Sequence, residues 1–477
     1  MNAFKTLLWG AVSLALVVSC AEAPQEEAEP ETPVATRHLE WVRNANIYEV
    51  NIRQYTPEGT FKAFSAHLPR LKEMGVDVLW LMPVQPIGKL NRKVVGKDSL
   101  GSYYSISDYS AVHPGYGTEA EFKAMVDQAH GLGMKVILDW VANHTAFDHH
   151  WTQEHPEFYT RDEKGNISVA RDMDNTPTDW TDVADLNYEA PGLAEAMFGE
   201  MRWWIDQFDI DGFRCDVAGF VPNAFWDELR PKLEAVKPLF MLAEWEDPAH
   251  MKSFDMNYGW DLHHRLNQLA QGKVGAKTLD AYFEEQKQKY QKDDIRMYFI
   301  TNHDENSWNG TEFERMGDHV KSCFALCVGL PGMPLMYSGQ EVGLNRRLSF
   351  FGKDSIEWGN PALLPFYKGM LQLKHEVPVL WNGNWGGDLE RIPTADSTVY
   401  AFRRFNAPNH PESELWMWVN LGAAPATATM PESLASRMGA EGVAVVEWKE
   451  SGATAFDAAQ PIILNPNSFR MVYSRKP

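Results

Sequence analysis

What most constrains this chain is a strand-then-helix grammar that repeats from Trp41 to about Ser338 with legible start and stop signals. Thr60 can cap a helix over residues 61–74, Gly75 ends it, and the apolar run 76–82 follows as a buried strand. Thr118 with Glu121 three residues on is a capping box. The helix it opens runs to about His130, Gly131 and Gly133 break it, and residues 135–140 form the next strand. Helices over 193–207 and 223–236 lead to strands over 213–217 and 239–243. Residues 47–54, 296–301 and 335–338 read as further strands, with a weak one near 254–256. That makes eight strands separated by helical segments, which predicts a closed parallel α/β barrel rather than an open sheet.

Two stretches leave the pattern. Residues 144–185 are polar and rich in Asp, Thr and Trp with no clear helix, so a short excursion domain over about 145–184 is expected after the third strand. After about Trp385 the period becomes two, as in Val399-Tyr400-Ala401-Phe402, which predicts a C-terminal antiparallel β-sandwich over 385–477. The barrel is therefore assigned to 40–384.

The N-terminus has a different composition. Lys5 precedes an apolar run over 7–18, too short to span a bilayer and suited to a signal-peptide core. Val17-Val18-Ser19-Cys20 resembles a bacterial lipoprotein box, which implies a signal peptide over 1–19, lipidation of Cys20 and an outer-membrane anchor, since residue 21 is Ala. Five Glu and three Pro over 21–36 read as a flexible acidic tether, assigned to 20–39. Whether the anchored body faces the periplasm or the exterior stays open. Without Cys20, three cysteines remain, an odd number that gives no disulfide framework; Cys323 and Cys327 are read as small buried hydrophobes. His149, His150 and His155 are read as surface or loop residues rather than ligands.

Barrel enzymes work at the C-terminal ends of their strands, and here those ends are strongly polar. The third strand closes on Asp139 and continues to Asn143 and His144. The fourth carries Arg214 and Asp216 two apart, hence on one face. The fifth ends at Glu244 and the seventh at His303-Asp304. A like-charged cluster at one mouth is costly unless chemistry uses it. Carboxylates with an Arg and two His suit glycoside cleavage, which needs an ionised nucleophile and a second, protonated carboxyl for the leaving oxygen. The formal charge of −21, from 44 basic and 65 acidic residues, argues against nucleic acid as a partner.

These segments resemble the conserved regions of the α-amylase family, glycoside hydrolase family 13: DWVANH, GFRCDV, LAEWE and FITNHDEN stand in the family's order and spacing. The resemblance implies that Asp216 is the nucleophile, Glu244 the general acid/base and Asp304 the transition-state stabiliser. It implies that Arg214, His144 and His303 hold the nucleophile or the sugar, and that Tyr104 stacks on it. The implied activity is retaining hydrolysis of α-glucosidic bonds, mainly α-1,4, in starch-type glucans or maltooligosaccharides. An exo-acting α-glucosidase, an oligo-1,6-glucosidase or a glucosyl transferase stays open, and a non-catalytic glucan-binding lipoprotein is disfavoured because all three carboxylates stand. Where many family members carry a Lys-His pair beyond the nucleophile, this chain has Gly219-Phe220, closer to the neopullulanase and oligo-1,6-glucosidase branches. The family's structural calcium would fall on Asn143 and Asp185, against the alternative that Asn143 only hydrogen-bonds its loop; no organic cofactor is implied.

Overall fold

The computed structural model describes residues 32–96 and 99–476. The signal peptide, Cys20 and most of the tether assigned from sequence lie outside the described residues. Val34–Pro477 form one unit. Eight parallel strands close into a barrel in chain order: β1 Ile47–Val50, β2 Val78–Leu81, β3 Lys135–Trp140, β4 Gly212–Cys215, β5 Phe240–Ala243, β6 Met256–Tyr258, β7 Ile295–Tyr298 and β8 Met333–Tyr337, with β8 pairing back onto β1.

Side-chain parity along these strands builds two concentric cores. Ile47, Val78, Ile137, Phe240, Leu242, Met256, Met297 and Leu335 point inward and fill the lumen. Their sequence neighbours, among them Tyr48, Leu79, Leu138, Phe213, Met241 and Met336, pack outward under the helices. At the fourth strand the inward position is Gly212, where an added Cβ would lie 1.9 Å from the Phe240 carbonyl oxygen, so β4 and β5 approach only because glycine stands there.

The local signals act as read, with differences that have physical causes. Thr118 and Glu121 form both halves of the capping box, and Gly75 ends its helix in the left-handed region at φ 102°. The helix expected over 61–74 is two pieces, Phe61–Ser65 and Leu68–Met74: Pro69 has no N–H to give to Ser65, so the helix ends and restarts with Pro in its first turn. The first strand stops at Val50 and the chain turns into a helix at Ile52–Tyr55. The weak sixth strand lies two residues later than expected, at Met256–Tyr258.

The excursion is a short antiparallel ladder, His144–Ala146 against Val183–Asp185, closed by one helical turn at Trp151–Glu154 and isolated bridges. His150 and His155 are exposed, whereas His149 is buried against Tyr109 and Trp151, its Nδ1 accepting the Trp151 N–H. Beyond the barrel, β9 Asp388–Arg391, β10 Val399–Phe405 and β11 Glu414–Asn420 belong to a six-stranded antiparallel sheet whose fourth strand, paired with β11, is the terminal strand Phe469–Arg475. A separate two-stranded ladder, Ala426–Ala428 with Ile462–Leu464, packs its apolar side with that sheet. Cys215, Cys323 and Cys327 are free and buried. Among the described residues no helix is long and apolar enough to cross a membrane.

The end of the segment assigned to the tether is fixed rather than flexible. Thr36 Oγ1 donates to Asp293, Arg37 pairs with Asp294 at 2.8 Å, and buried His38 sits between Asp255 Oδ1 at 3.1 Å and the Asp293 carbonyl at 2.7 Å. Composition reported the polar residues here but not their partners more than 200 positions away.

The close approach of β4 and β5 gives a test of the barrel. Gly212→Ala forces the β5 backbone to shift, an overpacking cost of about 3 kcal/mol. A thermal melt of this variant should fall by several degrees; an unchanged midpoint would show that the contact is not limiting.

Candidate active site

The inward rows of the lumen do not stop at the apolar layers. Five of them end on polar side chains at the C-terminal mouth: Glu49 above Ile47, Asp139 above Ile137, Arg214 and Asp216 above Gly212, Glu244 above Leu242, Tyr258 above Met256. Parity along the strand therefore puts the chemistry on top of the core.

Arg214 organises this layer. It is fully buried; Nη1 donates to Asp139 Oδ1 at 2.7 Å and to Asp216 Oδ1 at 2.9 Å, and Nε donates to the Tyr258 hydroxyl at 3.2 Å. Nη2 lies 2.6 Å from Glu244 Oε1, an ion pair out of line for a hydrogen bond. The guanidinium carbon sits 4.9 Å from the centre of the Trp80 ring, whose Nε1–H donates to Asp139 Oδ2. Two carboxylates on adjacent nitrogens of one guanidinium fork are thereby held close together and aimed at one space. Glu244 is further fixed by the Val217 N–H, which donates to Oε2 at 2.7 Å.

The carboxylates feel burial and each other. Burial, then the Glu244 carboxylate, push Asp216 well above the usual range against the pull of Arg214. Burial also raises Asp139, to about 6, although Arg214 and His303 oppose it.

A second cluster faces the first across the mouth. Buried His303 places Nδ1 2.5 Å from Glu49 Oε1, Nε2 2.8 Å from the Tyr104 hydroxyl and 3.2 Å from Asp304 Oδ2. Burial alone would lower the imidazole; Asp304 and Glu49 overcome it and hold His303 well above its usual value, so it stands as an imidazolium. Burial would raise Asp304, but the His303 cation and Arg214 bring it below the usual carboxylate range. Tyr104 joins the two clusters, its hydroxyl donating to Asp139 Oδ2 at 3.1 Å and its ring stacked on Phe350.

These groups open onto a cleft of about 620 Å³. Tyr104, His144, Asp216, Val217, Glu244 and Asp304 line it, so the catalytic and sugar-contacting residues expected from sequence come together, with Arg214 and His303 directly behind. Burial lowers His144 to about 3, leaving it neutral, and its ring lies 5.6 Å from that of Trp180. Sequence reading assigned no role to Glu49, Asp139 or Tyr258, nor to the cleft aromatics Trp308 and Phe350. Parity was the one available signal for the first three, each two positions beyond an inward apolar residue.

Asn143 and Asp185 sit apart from the carboxylates, on the excursion ladder. Asp185 Oδ1 accepts the Arg171 N–H at 2.8 Å, the Asn143 carbonyl accepts Leu186 N–H, and burial raises Asp185 to about 6. A calcium takes six to eight oxygens. One carboxylate already engaged by a backbone N–H and one amide do not by themselves fit that demand, and no group of three or more His, Cys, Asp or Glu side chains able to hold a metal occurs among the described residues. Asp185 braces the excursion internally at Arg171, and the Asn143 carbonyl receives the returning chain at Leu186.

Known proteins share this fold. A model of the alpha amylase catalytic domain matches residues 36–183 and 177–360. An α-amylase of Haloarcula japonica is 26% identical over 429 residues, covering 87% of this chain and 60% of its own length. Neopullulanase 2 of Thermoactinomyces vulgaris is 27% identical, covering 74% of this chain and 61% of its own. The chain thus spans about three fifths of the length of both relatives. The crystal structure of a noncanonic maltogenic α-amylase from Thermotoga neapolitana superposes with a TM-score of 0.77 at 27% identity, covering 92% of this chain and 100% of that one.

The Glu49–His303 contact predicts a shifted pH profile. An imidazolium held high by two carboxylates is present below its raised pKa and lost as pH rises through it. Glu49→Gln removes one of those carboxylates, so the alkaline limb of kcat/KM should move to lower pH. An unmoved alkaline limb would show that Glu49 does not set the His303 charge.

Proposed function

The chain belongs to the α-amylase catalytic-domain family, and from that premise we propose that it is a retaining glycoside hydrolase acting on α-glucosidic bonds, mainly α-1,4, in starch-type glucans or maltooligosaccharides. The observation that carries the reading is the shared guanidinium: Arg214 holds Asp216 and Glu244 side by side at the cleft, as a nucleophile and a proton donor working on one bond must be.

In this mechanism Asp216 attacks the anomeric carbon while Glu244 gives its proton to the glycosidic oxygen, and the leaving sugar departs. Arg214 favours the ionised form of Asp216, opposing without cancelling the burial and the Glu244 charge that raise it. Glu244, now a carboxylate, takes a proton from water; the water oxygen attacks the same carbon and the bond to Asp216 breaks. Two displacements on opposite faces retain the anomeric configuration. Asp304 and the His303 imidazolium face the catalytic pair across the cleft as charged partners for the sugar hydroxyls, and Tyr104 supplies a ring for its apolar face. Transfer of the glycosyl group to a second sugar uses the same first displacement, with a sugar hydroxyl in place of water. The Val17-Val18-Ser19-Cys20 box further supports a lipid anchor on Cys20 that holds the enzyme at the outer membrane.

Asp216→Asn should lower turnover of maltooligosaccharides by about 10³-fold or more, measured as reducing sugar released; wild-type rates would sink the assignment. Products followed over time on starch, pullulan and maltotriose resolve the mode of action, early long oligosaccharides meaning internal attack and glucose alone meaning attack from an end. For the anchor, Cys20→Ser should move the protein from the detergent phase to the aqueous phase in a two-phase partition, and an unchanged partition would refute lipidation.

A further inference from the structure

The strand parity that turns Ile295 and Met297 of β7 into the lumen turns Arg296 and Tyr298 outward. Outside β7 a second cavity of about 450 Å³ opens between that strand, the approach to β8 at Gly332, the end of the helix Lys277–Lys289 and the strands β9 and β10 of the C-terminal sheet. None of the catalytic residues lines it. Phe283, Tyr290, Tyr298 and Trp381 give it ring walls, and its size suits a small organic ligand.

Its charge opposes that of the chain. Lys287, Lys292, Arg296 and Arg404 line it against two acids, Asp294 and Asp388, in a protein of formal charge −21. Both acids are already engaged, Asp388 with Lys292 at 2.7 Å and Asp294 with Arg37 at 2.8 Å. Arg296 donates to Glu246, Gln286 and the Tyr258 carbonyl. Arg404 is placed differently. It is 1% exposed, its Nη1 and Nη2 donate to the Gly329 and Gly387 carbonyls at 2.9 Å each, and its Nε has no acceptor. Where Arg214 meets three carboxylates, Arg404 is ion-paired with none among the described residues. Lys374, buried as well, donates to the Gly332 and Leu380 carbonyls, and burial together with the Arg404 charge pulls it well below the usual lysine range. Burial pulls Arg404 to about 10, against Tyr298 and Asp388, so the guanidinium keeps its charge at neutral pH. A buried charge is costly until an opposite charge meets it. A planar guanidinium fork is the side chain best matched to an oxyanion.

We propose that this cavity is a ligand site distinct from the catalytic cleft, taking a sugar-sized body that carries a carboxylate or a phosphate, whose oxyanion supplies the counter-charge Arg404 lacks. The ring walls hold the body of the ligand, and Lys292 at the rim draws its charged group inward.

The test titrates the full chain with glucose 6-phosphate, glucuronate and, as the neutral control, glucose, at matched ionic strength, following heat of binding and the thermal midpoint. An anionic sugar at a hundredfold its Kd should raise the midpoint by about 3 °C for a chain of this size, and glucose should not. A response to only one of the two anions identifies the oxyanion the site takes. Arg404→Met should abolish the response. Lys292→Glu, a change at a half-exposed rim residue that keeps the proposal falsifiable if Arg404→Met fails to fold, sets a like charge in the anion's path and should weaken binding about tenfold or more. No response to either anion, an equal response to glucose, or wild-type affinity in Lys292→Glu overturns the site.

Discussion

Everything at the mouth of this barrel depends on one buried cation. Arg214 is removed from water, a desolvation costing several kcal/mol, and is offset only because Asp139, Asp216 and Glu244 converge on it from three adjacent strands with Trp80 and Tyr258 closing the shell. The dependence runs both ways. Three carboxylates crowded at the end of a lumen would repel one another, and without the guanidinium they would hold protons instead of charge. His303 repeats the arrangement between Glu49 and Asp304. Two internal cations thus let five acids occupy one mouth, with burial pushing Asp216 up and the His303 cation drawing Asp304 down.

The barrel delivers these groups by counting. Residues on a strand alternate faces, so a lumen filled by Ile47, Ile137 and Leu242 dictates that Glu49, Asp139 and Glu244 also point inward, two positions on and beyond the apolar layers. Gly212 is the exception that keeps the layers in contact, trading a side chain for a close approach of β4 to β5. A one-residue slip in any of these strands would send its functional group out under the helices.

How much of this was legible follows from where each signal lies. The eight strands and the residues closing them could be read because apolar runs, glycine stops and polar strand ends are local. Asp216, Glu244, Asp304, Arg214, His144 and His303 carried the added constraint of motif order. Tyr258 was missed because β6 is three residues long, preceded by a 3-10 turn at Pro248–Lys252 instead of a helix, so its register could not be fixed. Glu49 was missed because its partner is 254 positions away. The Thr36–His38 anchor failed for the same reason: polar residues beside a Glu-rich segment look solvated until Asp255 and Asp293 arrive from the barrel. Cleft aromatics such as Trp308 and Phe350 are placed by loops, whose geometry leaves no periodicity in sequence.

The turn after the nucleophile shows how the two halves of the site are coupled. Val217 adopts the left-handed region, φ 35° and ψ 49°, which a β-branched residue avoids and which costs of order 1–3 kcal/mol. That conformation aims its N–H at Glu244 Oε2 and sends the chain directly into Ala218-Gly219-Phe220. A relaxed backbone at 217 would turn the N–H away from Glu244 and carry Phe220 away from Trp245 in the same motion. The strain therefore fixes the proton donor and this ring contact together. The fold sustains it because Asp216, one residue earlier, is tied both to Arg214 and, through its own N–H, to the Trp140 carbonyl at 2.9 Å. The nucleophile is thus the rigid point from which both the proton donor and the Phe220–Trp245 contact are set.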